Sequence, residues 1–164
     1  MSGSLTATLV PTGDLQDWQS QWEVIQRRAT AIQAQRPSDL DQASLMDADA
    51  DYQRFLMQAW HLRDYLKRIP TLKPTVDAKV DSEPSLLLLA DLADSIKHGR
   101  GRRRNPKSGI DPVLRPATGD FAGPMRTWHL KVTILHGPMT IDGIQFVRDV
   151  IAAWTAVLTR LGLI

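Results

Sequence analysis

The sequence predicts a mainly α protein, a four-helix up-and-down bundle with a small β-hairpin inserted before the last helix. Three observations carry that class. Apolar residues recur at alternating spacings of three and four over long stretches bounded by proline or glycine. One stretch, Met125 to Leu135, alternates with period two instead. The chain has 164 residues, 43% of them hydrophobic and 23% charged, which is enough for one soluble domain with a core of its own.

Residues 1–13 are small and polar and are interrupted by Pro11 and Gly13, so a flexible N-terminal tail is expected there and a single helical domain over 14–164. The first helix is expected from Asp14, a suitable N-cap, to Arg36, before Pro37. Its stripe is Leu15, Trp18, Trp22, Ile25, Ala29 and Ile32. Residues 37–46 read as a linker. A second helix is expected from Asp47 to Ile69, with the stripe Tyr52, Phe55, Ala59, Leu62, Leu66 and Ile69. Asp47, Asp49 and Asp51 suit the positive end of its dipole, Lys67 and Arg68 the negative end, and Pro70 closes it.

Residues 70–83 show no period and read as a connection. The third helix is expected from Pro84 to His98, with Gly99 as its C-cap; it is apolar almost all round at first, so it should be central. Residues 99–123 read as loop. Trp128, Leu130, Val132 and Ile134 should share one face of a strand, and a second strand through Met139 and Ile141 should follow the turn at Gly137-Pro138, giving a hairpin over about 125–141. The last helix is expected from Asp142 to Leu161, with the stripe Ile144, Val147, Ile151, Trp154 and Leu158.

The absence of cysteine excludes disulfides, thiolate catalysis and Cys-ligated zinc. No apolar run approaches the roughly 20 residues of a membrane span, and the N-terminus lacks the pattern of a signal peptide, so no membrane association and a cytoplasmic location are expected. The net charge of +2 hides a gradient. Residues 1–96 hold nine Lys and Arg against fourteen Asp and Glu; residues 97–164 hold eleven against four.

Much of that positive charge lies in KHGRGRRRNPK, residues 97–107, where a mobile cationic loop is expected to leave the third helix. Lys97, Arg100, Arg102, Arg103, Arg104 and Lys107 are six cations in eleven residues. Guanidinium forks match phosphate oxygens, and such a segment can follow a nucleic-acid backbone without reading its sequence. Nucleic acid, RNA first, is the expected partner; an acidic protein partner is the alternative.

Candidates for chemistry sit on two helices. Arg54, Gln58, His61, Tyr65 and Arg68 share a face of the second, with Asp64 in reach of His61. Asp91, Asp94 and His98 share a face of the third. If the two helices pair antiparallel, His61 falls level with Leu92 and Arg54 with His98. Three uses fit these groups: RNA cleavage by a histidine with an arginine, divalent-metal binding by two histidines and a carboxylate, or structural pairing within the helices. His129 and His136, in or beside the hairpin, are not expected to be catalytic. Trp18, Trp22 and Trp154 are expected in the core, and Trp60 at a helix interface.

The segments AWHLRDYL, 59–66, and LADLADSIKHG, 89–99, followed by a short strand pair and a tryptophan-bearing last helix, resemble the HEPN-like helical domains of small bacterial and phage proteins. The resemblance covers roughly 47–164. It implies a four-helix domain, a homodimer, and either a binding module or a metal-independent ribonuclease of a defence or toxin-antitoxin system. HEPN nucleases pair an arginine and a histidine spaced R-x4-6-H near the start of a late helix. Arg54 and His61 have the spacing in the middle of the second helix, and His98 has no arginine at that distance before it. The catalytic candidates are therefore His98, His61, Arg54 and Asp94. No cofactor and no bound metal are expected.

Overall fold

A computed structural model of the chain describes residues 12–34, 42–99, 105–118 and 131–164, with side-chain placements over 17–34, 45–99, 105–115 and 131–164. Five helices and three strands follow in the order α1 Thr12–Ala34, α2 Gln42–Lys67, α3 Lys73–Asp81, α4 Pro84–His98, β1 Val113–Thr118, β2 Lys131–His136, β3 Met139–Asp142 and α5 Gly143–Arg160. The fold is mainly helical with a small antiparallel sheet before the last helix. Two expectations need correction: the described residues form five helices, not four, and the hairpin is the greater part of a three-stranded sheet.

The fifth helix is α3, inside the segment read as a connection. Pro74 stands in its first turn, and its buried residues are Val76 and Val80 alone, a pair too short to register as a period. α2 begins at Gln42, so half of the expected linker is helical; Leu45 and Ala48 extend its buried stripe by a turn. α1 begins at Thr12, so residues 12 and 13 belong to a helix rather than to the expected tail, the rest of which lies outside the described residues. α4 runs from Pro84 to His98 as predicted, and Gly99 caps it at φ 78°, a left-handed value that favours glycine.

The strand missed by periodicity is β1, within the expected loop 99–123. It pairs antiparallel with β2, Val113 opposite Leu135 and Thr118 opposite Lys131, and the register shifts between Arg115 and Thr118. Pro116, which lacks the N–H a ladder needs, sits inside that shift. β2 is central and pairs with β3 from Thr133–Asp142 to His136–Met139 around the predicted Gly137-Pro138 turn. Val132 and Ile134 are buried on the inner face of β2, as the alternation required; Trp128 and Leu130 lie outside the described residues.

α2 packs against α1 on one side and α4 on the other, and α5 closes against α1 and α4. β1 lies over α2 and β2 over α5. The core draws Trp18, Trp22, Tyr52, Phe55, Leu89, Phe146 and Trp154 from four helices, with Val132 and Ile134 from the sheet. Each fully buried apolar side chain of this size contributes about 1.5–3 kcal/mol relative to exposure. Tyr52 ties the helices to the sheet: its hydroxyl donates to the Gly143 carbonyl at 2.8 Å, while Asp142 caps α5 by accepting from the Gln145 N–H. Burial, and secondarily the charge of Asp142, pushes the Tyr52 hydroxyl far above its ordinary pKa. Among the described residues no helix is long and apolar enough to cross a membrane.

Candidate nucleic-acid interface

The apolar half of α4 contains one acid. Asp91 is 1% exposed between Ala90 and Leu92. A carboxylate there must find donors, because a bare buried charge would cost several kcal/mol. The donors come from the chain that returns to α4 after the arginines. The backbone N–H of Lys107 donates to Oδ1 of Asp91 at 2.9 Å, and the backbone N–H of Ser108 to Oδ2 at 2.7 Å. The Ser108 hydroxyl donates to Oδ2 at 2.6 Å. Asp91 is thus a clasp that pins residues 107 and 108 to the middle of α4.

Lys107 is fastened a second time. Its ammonium lies 2.8 Å from Asp81 and 5.7 Å from the centre of the Trp60 ring. Arg63 approaches the same ring at 5.1 Å while donating to Asp77. Trp60, partly buried against the core, is therefore a platform for two cations. Lys107, expected to contact nucleic acid, already has an acidic partner within the fold and acts here as an anchor.

The segment 100–104 is consequently bracketed by two defined feet. One is the last turn of α4, where Lys97 and His98 are exposed and face the negative end of the helix dipole. The other is the Asp91 clasp, seven residues back along α4, or about 10 Å. Arg100, Arg102, Arg103 and Arg104 themselves lie outside the described residues.

Ser108 also contacts His136 Nε2, at 3.1 Å, which brings a serine, a histidine and an aspartate together. The order of contacts decides what they can do. The serine has one proton, its shortest contact is to Asp91 at 2.6 Å, and the Ile110 carbonyl lies 3.1 Å away as a second acceptor; with that proton on Asp91, His136 Nε2 meets the serine oxygen as a donor in the tautomer that carries its proton there. A histidine that donates to the serine cannot take its proton, and the aspartate orients the serine rather than the imidazole. The trio fastens β2 to the clasp and is not a nucleophilic triad.

The α2 candidates do not form one reaction centre. Arg54 donates to Asp51 Oδ1 at 3.1 Å, and its side chain is 65% exposed. Gln58 accepts from Arg28 of α1, and Arg68 lies over the Tyr65 ring at 4.5 Å and 3.9 Å from Asp17 of α1. His61 is exposed on the outer side of α2 with no hydrogen bond or ion pair; Asp64, expected within its reach, lies 3.9 Å from Arg63. Asp94 is half-buried one turn before His98. No group of three or more His, Asp or Glu side chains among the described residues is arranged to hold a metal ion.

α2 and α4 pack against each other as expected, and Arg54 shares a groove of about 350 Å³ with Ile96, two residues before the His98 expected at its level, together with Met57 and Gln58. Sequence reasoning missed Asp51, Arg28, Ser108 and the clasp role of Asp91. The legible signal was Asp91 itself, an acid inside LLLLADLA.

Compared with known proteins, the chain matches no family model, no curated protein and no solved structure.

Proposed function

We propose that this protein binds single-stranded nucleic acid, RNA in the first place, through the arginine segment at the end of α4, and that it is a HEPN-like binding protein. One observation supports this above the others. Four arginines within five residues, Arg100 to Arg104, stand between an exposed helix terminus bearing Lys97 and a foot held by a buried carboxylate. Fixed feet reduce the conformational entropy lost when the segment engages a polyanion. Cleavage, where it accompanies binding, falls to His98 with Asp94 beside it, since His98 adjoins the arginines and His61 faces outward from α2.

The test is a fluorescence anisotropy titration of labelled single-stranded RNA across a salt series, with the gel readout repeated in EDTA. Each phosphate neutralised contributes about −0.7 to the slope of log K against log salt, so four arginines give about −3. The triple variant R102A/R103A/R104A should reduce that slope by about 2. EDTA-resistant cleavage lost in His98→Ala adds the nuclease. Absence of RNA binding, or binding indifferent to the triple variant, sinks the proposal and favours the second reading, a protein-interaction module whose arginines meet an acidic partner.

A further inference from the structure

The two edges of the sheet differ. β1 is one edge and β3 the other, with β2 between them. The β1 edge carries Pro116 and a register shift, both of which discourage a further strand. β3, Met139-Thr140-Ile141-Asp142, holds no proline, lysine or arginine, and its pairing with β2 runs without a shift. The two-residue loop makes His136 and Met139 a hydrogen-bonded pair, so the bonds to β2 fall on Met139 and Ile141. The N–H and C=O of Thr140 and the N–H of Asp142 therefore face away from β2, and among the described residues β3 pairs with β2 alone.

An apolar groove lies beside that edge. Met139 and Ile141 share the inner face of the hairpin with Ile134. Ile134 is fully buried, yet Met139 is 53% exposed, so the helices beneath cover one and leave the other open. The groove there, of about 280 Å³, is lined by Leu88 of α4, Phe146 and Asp149 of α5, and Met139 and Ile141 of β3. Pockets that enclose a drug-sized ligand run from about 300 to 1,000 Å³, so this one suits a single side chain entering from the sheet edge.

The surroundings are acidic. Asp142 accepts from the Gln145 N–H at 2.8 Å and Asp149 from the Gln145 side chain at 2.9 Å; among the described residues neither has a cationic partner. Arg148, on the same helix, reaches Gln145 and Gln33 of α1 instead. Two carboxylates against one guanidinium leave a net negative charge.

We infer that β3 is a docking edge for an extended peptide that alternates apolar and basic residues. The peptide bonds to the outward groups of Thr140 and Asp142 and extends the sheet by a strand. Its apolar side chains share the face of Met139 and Ile141, and one enters the groove; its basic side chains fall on the opposite face, beside Asp142. None of these residues belongs to the arginine segment, so the inference is independent of RNA binding.

The probe is a short fluorescein-labelled peptide of alternating valine and lysine, titrated into the isotope-labelled full chain and followed by anisotropy and amide chemical shifts. Shifts should centre on Thr140 and Asp142, and the counterpart peptide with glutamate for lysine should bind about fivefold more weakly. Thr140→Pro removes a donor that points away from β2, which an edge strand tolerates, so the thermal midpoint should hold while affinity falls about fivefold. Met139→Lys, at a half-exposed side chain, sets a cation over the groove and should abolish binding in a folded protein. Equal binding of the valine–lysine peptide by both variants, shifts confined to other elements, equal affinity for the glutamate peptide, or no shift at about 1 mM peptide each overturns the inference.

Discussion

Replacing Asp91 by alanine removes the acceptor for two backbone N–H groups and one hydroxyl. Hydrogen bonds to a charged group contribute about 1.5–3 kcal/mol each, and the half-buried donors left behind recover part of that by meeting water. The bonds at 2.9, 2.7 and 2.6 Å together then give a loss of about 3–5 kcal/mol. That is a large share of the roughly 5–15 kcal/mol that stabilises an ordinary domain, and it lowers the melting temperature by about 10 °C. Asp91→Asn keeps the shape but turns one oxygen into a donor that faces another donor, so it should lie close to the alanine variant. Ser108→Ala removes one bond of the set and should cost about 1–2 kcal/mol. Urea melts of the three variants, followed by far-ultraviolet circular dichroism, measure these differences. If Asp91→Ala lies within 1 kcal/mol of the native protein, the carboxylate is not holding the chain to α4, and the fixed foot on which the binding proposal relies is gone.

Two further outcomes follow from the geometry. Tyr52→Phe should cost about 1 kcal/mol, the low end for a buried hydrogen bond, because the Gly143 carbonyl opens α5 and still accepts within the helix; an unchanged urea midpoint would contradict the 2.8 Å contact. Asp77 is held at about 2, below its ordinary 3.8, first by the hydrogen bond from Arg63 and then by Lys67. Its contribution is complete above pH 3.8 and is lost as pH falls through about 2, so Asp77→Asn should be less stable than the native protein near neutrality and converge with it toward pH 2. Because the carboxylate is 41% exposed, solvent screening keeps the difference below about 1 kcal/mol, and a gap that widens on acidification would refute the assignment.

The long helices were legible because a one-sided stripe needs only spacing: Trp18 to Ile32 and Tyr52 to Ile69 are buried as their periods require, while in the last helix Val147, Trp154 and Leu158 are buried but Ile144 and Ile151 only partly, the buried face being centred on Val150 and Val157 as well. Pro84, Gly99 and the Gly137-Pro138 turn were legible for a local reason, since each restricts the backbone wherever it sits. α3 and β1 were not. Val76 and Val80 are too few to make a period, and β1 derives its strand state from pairing with β2, a partner some 18 residues further on. The candidate interface divides in the same way. The sequence by itself determined the charge: arginines are cations in any fold, and their density from 100 to 104 is a property of the chain. Where that charge is anchored was decided only in three dimensions. The donors that satisfy Asp91 lie 16 and 17 residues away, the arginine that meets Arg54 at Asp51 lies on another helix, and the outward aim of His61 follows from which side of α2 the core occupies. Such contacts depend on packing between segments distant in sequence, and no local rule of spacing contains them.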